Sequence, residues 1–189
     1  MGNKIDFLEM GDSYGTTMNE KMVRQNLRNF RAQMKHVLMT SRFNNETFEE
    51  NAEFRENHAN IGCIYCSPQT ISREIMLDSV MFILEMNNDK NKIMGIGMVR
   101  NHPYSGKYNV YKNGNYNRYV YVGKHRIDRS DMTEEEDKIM QVFDILCFTG
   151  NRHMKRGQGL RAFPIETLFK CNKTLDLVGF IGNMFKSRM

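Results

Sequence analysis

Two apolar runs on either side of a turn-forming segment constrain this chain more than any other feature. Val80 to Met86 and Ile93 to Val99 flank Asn87-Asn88-Asp89-Lys90-Asn91. Short apolar runs bounded by Asn and Asp suit strands, because a stable helix needs more length. Asn and Asp tolerate left-handed backbone and bond to their own chain, which favours the turn. The spacing therefore predicts a β-hairpin. Gly95-Ile96-Gly97 lies inside its second strand. Glycine weakens a strand, so two of them point to a bulge, tight curvature or the close approach of a ligand. On the last reading Gly95, Gly97, Glu85 and Asn87 line a ligand pocket. A dinucleotide fingerprint is excluded, since the third glycine and the following helix are missing.

The rest of the chain reads as helices around this β core. Residues 1–16 are polar and read as a loose arm. Thr17 and Glu20 form a predicted capping box, and Met18, Met22, Leu27, Phe30, Met34 and Val37 recur near helical spacing. A long amphipathic helix is expected over 17–42, followed by a weaker acidic helix over 43–58. Residues 59–189 are expected to form the α+β core and to fold as one unit with 17–58. Within it, Cys63 to Cys66 suits a buried strand. Tyr108 to Tyr111 and Tyr116 to Val122 flank Asn113-Gly114, a favoured hairpin turn pair. Thr133 with Glu136 caps a helix that carries Ile139, Val142, Phe143 and Leu146 and stops at Gly150. Pro164 can open a short helix, and residues 174–186 form a last amphipathic one.

Composition bounds the partners. The 189 residues are 40% apolar, enough for a core, which excludes disorder of the whole chain. The net charge is +5, which fits a polyanionic partner. No stretch is long and apolar enough to span a membrane. The N-terminus lacks a signal-peptide layout, and Asp6 stands where a myristoylation motif wants Ser or Thr. Four Cys without an export signal fit free thiols in a reducing compartment. The expected location is intracellular, in the cytoplasm or nucleus of a host or in a virion. Abundant Asn with scarce Ala and Pro fits an AT-rich genome, such as a viral one.

The sharpest chemical feature is Arg152-His153-Met154-Lys155-Arg156-Gly157-Gln158-Gly159-Leu160-Arg161. Lys and Arg serve phosphate contacts, and Arg also reads base edges in a fork. Glycines let backbone approach a ligand closely. A solvated charged loop is the plainer explanation. Upstream, Tyr104, Tyr108, Tyr111, Tyr116, Tyr119 and Tyr121 lie among Lys107, Lys112, Arg118, Lys124, His125 and Arg126. Aromatic faces beside cations stack bases and hold phosphates, although Tyr is also ordinary strand filler. The residues expected to contact nucleic acid are Arg152, His153, Lys155, Arg156, Arg161, Tyr119, Tyr121, Lys124 and Arg126. Cys63, Cys66, Cys147 and Cys171 lack paired zinc-ligand spacing and read as small buried hydrophobes. No metal, cofactor or catalytic set is expected.

The segment Met81-Phe82-Ile83-Leu84-Glu85-Met86-Asn87-Asn88 with Lys92 to Val99 resembles the central hairpin of PUA-like domains, the group holding ASCH, EVE and YTH modules. The resemblance covers roughly residues 60–170. It implies a small, curved, mostly antiparallel sheet or pseudo-barrel flanked by helices. It also implies binding of RNA or modified bases in an aromatic-lined pocket beside a basic surface. The Trp cage of YTH modules has no counterpart, since the chain has no Trp.

These readings converge on a non-catalytic nucleic-acid-binding module, with RNA favoured over DNA. A structural or protein-interaction role, with the 17–42 helix docking on a partner, is the alternative. A nuclease or nucleotide-processing enzyme using Glu85 or Asp128 is the third reading.

Overall fold

The computed structural model describes residues 11–105 and 108–189, with side chains from Met18 onward. The chain opens with helix α1 (Gly11–Gln33), followed by strand β1 (Val37–Phe43) and helix α2 (Asn45–Glu56). Strands β2 (Cys63–Ser67), β3 (Val80–Asn87), β4 (Lys92–Arg100) and β5 (Tyr104–Ser105) come next. After a 3-10 turn come β6 (Tyr119–Gly123), β7 (His125–Asp128), α3 (Glu134–Phe148), β8 (Leu160–Ala162), α4 (Ile165–Cys171) and α5 (Leu177–Lys186).

Among the described residues, eight strands form two open sheets. One has five strands in the order β7-β4-β3-β1-β8, and the other has three in the order β2-β6-β5. β1 and β3 run parallel, while β3–β4, β4–β7 and β1–β8 are antiparallel. Neither sheet closes on itself, so the architecture is α+β with two small sheets rather than the curved pseudo-barrel that the hairpin resemblance implied. The physical reason lies in β1: a parallel partner in mid-sheet extends the β3–β4 hairpin sideways into an open layer.

Two apolar clusters hold the layers together. Leu38, Phe82, Leu84 and Ile96 meet Met140, Phe143, Ile181 and Phe185 of the helices on one face of the large sheet. On the other face Met39, Met81, Ile83 and Val99 meet Ile64, Tyr65, Val120 and Tyr121 of the small sheet. Strand alternation sends neighbouring residues to opposite layers, so β1 and β3 are apolar on both sides.

The predicted β3–β4 hairpin is present, with Asn87 closing its turn by accepting from the Asp89 and Lys90 amides at 3.1 and 3.0 Å. The Thr133–Glu136 capping box starts α3 as expected, with the Thr133 amide donating to Glu136 at 2.9 Å. Three predictions are corrected. The first helix includes residues 11–16, so Thr17 lies inside it; the expected arm over 1–10 lies outside the described residues. It ends at Gln33, and Val37–Phe43 is a strand rather than the helix continuing to 42. Leu38 and Met39 are each 1% exposed on opposite faces, a burial that an exposed helix end cannot provide. The Tyr108–Val122 hairpin is absent as well. Asn117 instead accepts from the Val110 and Tyr111 amides and donates to Tyr111 O at 2.7 Å, replacing a strand ladder with one buried side chain. Tyr119–Gly123 pairs with β2.

Candidate nucleic-acid interface

Gly95 and Gly97 are explained by the protein's own side chains. The β3–β4 register shifts between Leu84 and Met86, leaving a bulge opposite Glu85. A Cβ at Gly97 would fall inside the Tyr65 phenol, and one at Gly95 would lie 3.0 Å from the Glu85 carboxylate. Into that space Tyr65 donates its hydroxyl to Glu85 at 2.7 Å. Arg126 reaches the same carboxylate through Nε at 2.9 Å and Nη2 at 2.7 Å, and reaches Asp128 through Nη1 at 2.8 Å. Burial works against the Arg126 charge, but Glu85 outweighs it and holds that guanidinium above its ordinary pKa. Burial, then Glu85, pushes the Tyr65 phenol well up and the Cys63 thiol up to about 12.

The pocket expected at Gly95, Gly97, Glu85 and Asn87 is thus filled. Glu85 is 1% exposed and Asn87 is fully buried. The Arg126 side chain is 8% exposed and is held by Glu85 and Asp128, and Tyr121 is buried, its hydroxyl accepting from the Ile71 amide at 3.4 Å. Tyr119 is half-buried and Lys124 is exposed. Lys124 lies beside Gly62 at the start of β2, whereas Gly159 presses on Ser67 at its end. Across a five-residue strand that is a separation of about 13 Å. Lys124 and the basic loop do not converge.

The loop meets different residues. Arg152, Arg156 and Arg161 are exposed, and His153 and Lys155 are half-buried. None of these five pairs with a carboxylate among the described residues. β8 pairs with β1, placing Arg161 opposite Thr40. Gly157 (φ +103°) and Gly159 (φ +64°) adopt backbone that side chains disfavour. At Gly159 a Cβ would also collide with Ser67. The loop is tied down from below: Arg42 Nε donates to Met154 O, and Asn88 Nδ2 donates to Lys155 O at 3.2 Å.

Beneath the loop is a cavity of about 210 Å³. Gly157, Gln158 and Gly159 form one wall and Tyr111 and Tyr116 another, with Arg42 and Asn88 at the carboxyl ends of the parallel strands β1 and β3. That end of a parallel pair is a favoured ligand position in open sheets. Arg42 is half-buried, its Nη1 is closed off from solvent with no hydrogen-bond partner, and no described carboxylate pairs with it. Burial, then the nearby charge of Arg161, lowers its pKa from the ordinary value. An unpaired, partly desolvated cation on a cavity wall is stabilised by an anion in that cavity.

None of the expected contact residues lines this cavity; the 152–161 loop reaches it through Gly157, Gln158 and Gly159. Arg42, Asn88, Tyr111 and Tyr116 were not among the expected contacts. Arg42 carried no signal, because it was read as a helix end. Tyr111 and Tyr116 stood in the tyrosine cluster but gave no sign of facing the loop. No group of three or more metal-ligating side chains occurs among the described residues, and no described helix is long and apolar enough to cross a membrane. Comparison with protein-family models and with curated proteins finds no match.

Proposed function

We propose that this chain is a non-catalytic nucleic-acid-binding module, RNA being favoured, that seats a phosphate of the strand in the cavity under the 152–161 loop. The observation that carries the proposal is the charge of Arg42, which no described carboxylate pairs and whose side chain lines a cavity walled by glycine backbone and two tyrosines. Arg152, Arg156 and Arg161, exposed on the same segment, supply further phosphate contacts as the strand leaves the cavity. Tyr116, half-buried, offers ring surface for a base. Lys124, Arg126 and Tyr121 take no part in this version of the interface.

Fluorescence anisotropy with labelled single-stranded RNA and DNA tests the reading. Affinity is expected to fall linearly with the logarithm of salt concentration, because phosphate contacts release counterions. Arg42→Gln removes a charge-assisted contact worth about 1.5–3 kcal/mol, so binding weakens by roughly tenfold to a hundredfold. Absence of binding to either nucleic acid at low salt refutes the proposal, as does full affinity in Arg42→Gln. A protein-interaction role has its own support in the exposed Met18, Met22 and Val23 of α1. Concentration-dependent self-association without nucleic-acid affinity would select that reading.

A further inference from the structure

A second cavity, of about 410 Å³, lies at the opposite end of β1, about 20 Å from the first along a seven-residue strand. The end of α1 and the α1–β1 connection face one side of α5 across it. Phe30, Met34 and Val178 supply its apolar wall. Its polar wall is basic: Lys35, His36 and Lys186 line it, and neither lysine pairs with a carboxylate among the described residues. Asp176 is the described carboxylate on the wall, and it caps α5 by accepting from the Gly179 amide at 2.9 Å.

The His36 ring lines the cavity and rests edge-on against Phe82 at 5.1 Å, with its Nδ1 closed off from solvent and turned away from the open space. A further observation bears on an occupant. Gly182 sits inside α5 although nothing in the packing demands glycine. A Cβ there would lie 3.8 Å from Phe82 and 3.9 Å from His36, ordinary contact distances. Glycine inside a helix is destabilising relative to alanine. What its bare backbone provides here is room on the floor of the cavity.

We infer that this cavity is a second ligand site, taking a phosphate group, either free phosphate or a small phosphomonoester, between Lys35 and Lys186 and over His36. Two ammonium point charges suit a dianion; a planar carboxylate is matched better by an arginine fork, and none lines the cavity. Occupancy couples to a proton. Burial, then Lys186 and Lys35, hold His36 below its ordinary pKa of 6.5. The charges facing it are Lys35 on its own segment, Lys186 from α5 and Asp176 from the α4–α5 connection. A bound dianion offsets both lysines, so His36 gains affinity for a proton, and the anion binds more tightly as pH falls.

The test follows the His36 ring protons by NMR during titration with sulfate, inorganic phosphate and phenyl phosphate at ionic strength matched with chloride. Reading at His36 separates this site from the Arg42 cavity. Sulfate is included because it does not titrate in this range, whereas a phosphomonoester does near pH ~6. The expected result is a saturable His36 shift, with sulfate binding several-fold tighter at pH ~6 than at pH ~8. Lys186→Gln is expected to weaken binding about tenfold. Gly182→Ala, which favours the helix, should weaken binding while raising the unfolding midpoint. Lys170→Gln, on α4, should leave binding unchanged. Tighter binding of phenyl phosphate assigns a phosphomonoester; equal or weaker binding assigns free phosphate. A His36 shift no larger than chloride produces, or one unaltered in both Lys186→Gln and Gly182→Ala, overturns the inference.

Discussion

Arg126→Met is the perturbation for which the structure gives the firmest magnitude. Methionine keeps the apolar stem and deletes the guanidinium. Glu85, 1% exposed, then loses its contacts to Nε at 2.9 and 3.2 Å and to Nη2 at 2.7 Å, and keeps only the Tyr65 hydroxyl at 2.7 Å. Asp128 also loses a partner, but it is 41% exposed and is rehydrated at little cost. Removing one member of a buried ion pair typically costs about 3–5 kcal/mol, because the remaining charge is stranded. Set against a typical total of about 5–15 kcal/mol, that is a large share of the fold's stability.

Urea unfolding near neutral pH, followed by far-UV circular dichroism, measures this loss as a lower midpoint with an unchanged slope. The double variant Arg126→Met with Glu85→Gln removes the stranded charge and leaves an amide oxygen for Tyr65. It should be more stable than Arg126→Met alone by about 2 kcal/mol, a coupling well beyond that of independent sites. A single-variant loss under about 1 kcal/mol would place the pair in the class of surface ion pairs and refute the reasoning. So would additivity in the double variant.

Two other substitutions test the packing and the charges independently. Gly97→Ala places a methyl group inside the Tyr65 phenol, so the two sheets must separate; a cost of about 2–3 kcal/mol is expected in the same urea assay, and a change within about 0.5 kcal/mol would contradict the close approach. Arg188 holds the Glu136 carboxyl below its ordinary 4.5, chiefly by hydrogen bonding and against the effect of burial. Because the folded value is the lower one, this stability is present above pH 4.5 and is lost as pH falls through 4.5 toward the folded value. Arg188→Gln should remove about 1 kcal/mol or less at neutral pH, since Arg188 is partly exposed, and should flatten the acid-side decline; an unchanged decline would show that the pair adds nothing.

Local patterns in the sequence were legible where one element supplied all the information. The Thr133–Glu136 box and the acids after it define the start of α3 without reference to anything distant. The β3–β4 turn is equally local, since Asn87 bonds to amides two and three residues ahead. Gly95 and Gly97 announced a bulge or a close approach, but the approaching group, Tyr65, comes from another sheet. Arg126 meets Glu85 from 41 residues away, so its charge looked available for phosphate. Val37 happened to continue the helical spacing of Met34, which hid a central strand and with it Arg42. Tyr121 fits both an exposed stacking face and a sheet core, and only its partner Tyr65 and the residues packed around it decide between them.

Arg42 and Arg126 form an internal comparison that bears on where a polyanion would bind. Arg126 has carboxylates at 2.7 and 2.8 Å and an elevated pKa; its desolvation is compensated within the fold. Arg42 has a backbone carbonyl, a closed-off Nη1 and a lowered pKa; its desolvation is not. Arg42→Met should therefore lose a loop tether worth about 1 kcal/mol while relieving an uncompensated charge, leaving the free protein's stability nearly unchanged. The same substitution at Arg126 is expected to cost about 3–5 kcal/mol. Nucleic-acid affinity should show the reverse order, with Arg42→Met losing it and the destabilised but still folded Arg126→Met retaining it. A residue that contributes little to folding yet governs affinity is the signature of a binding group. If Arg42→Met destabilises the fold as much as Arg126→Met does, the cavity is a structural joint holding the loop, and the nucleic-acid reading loses its anchor.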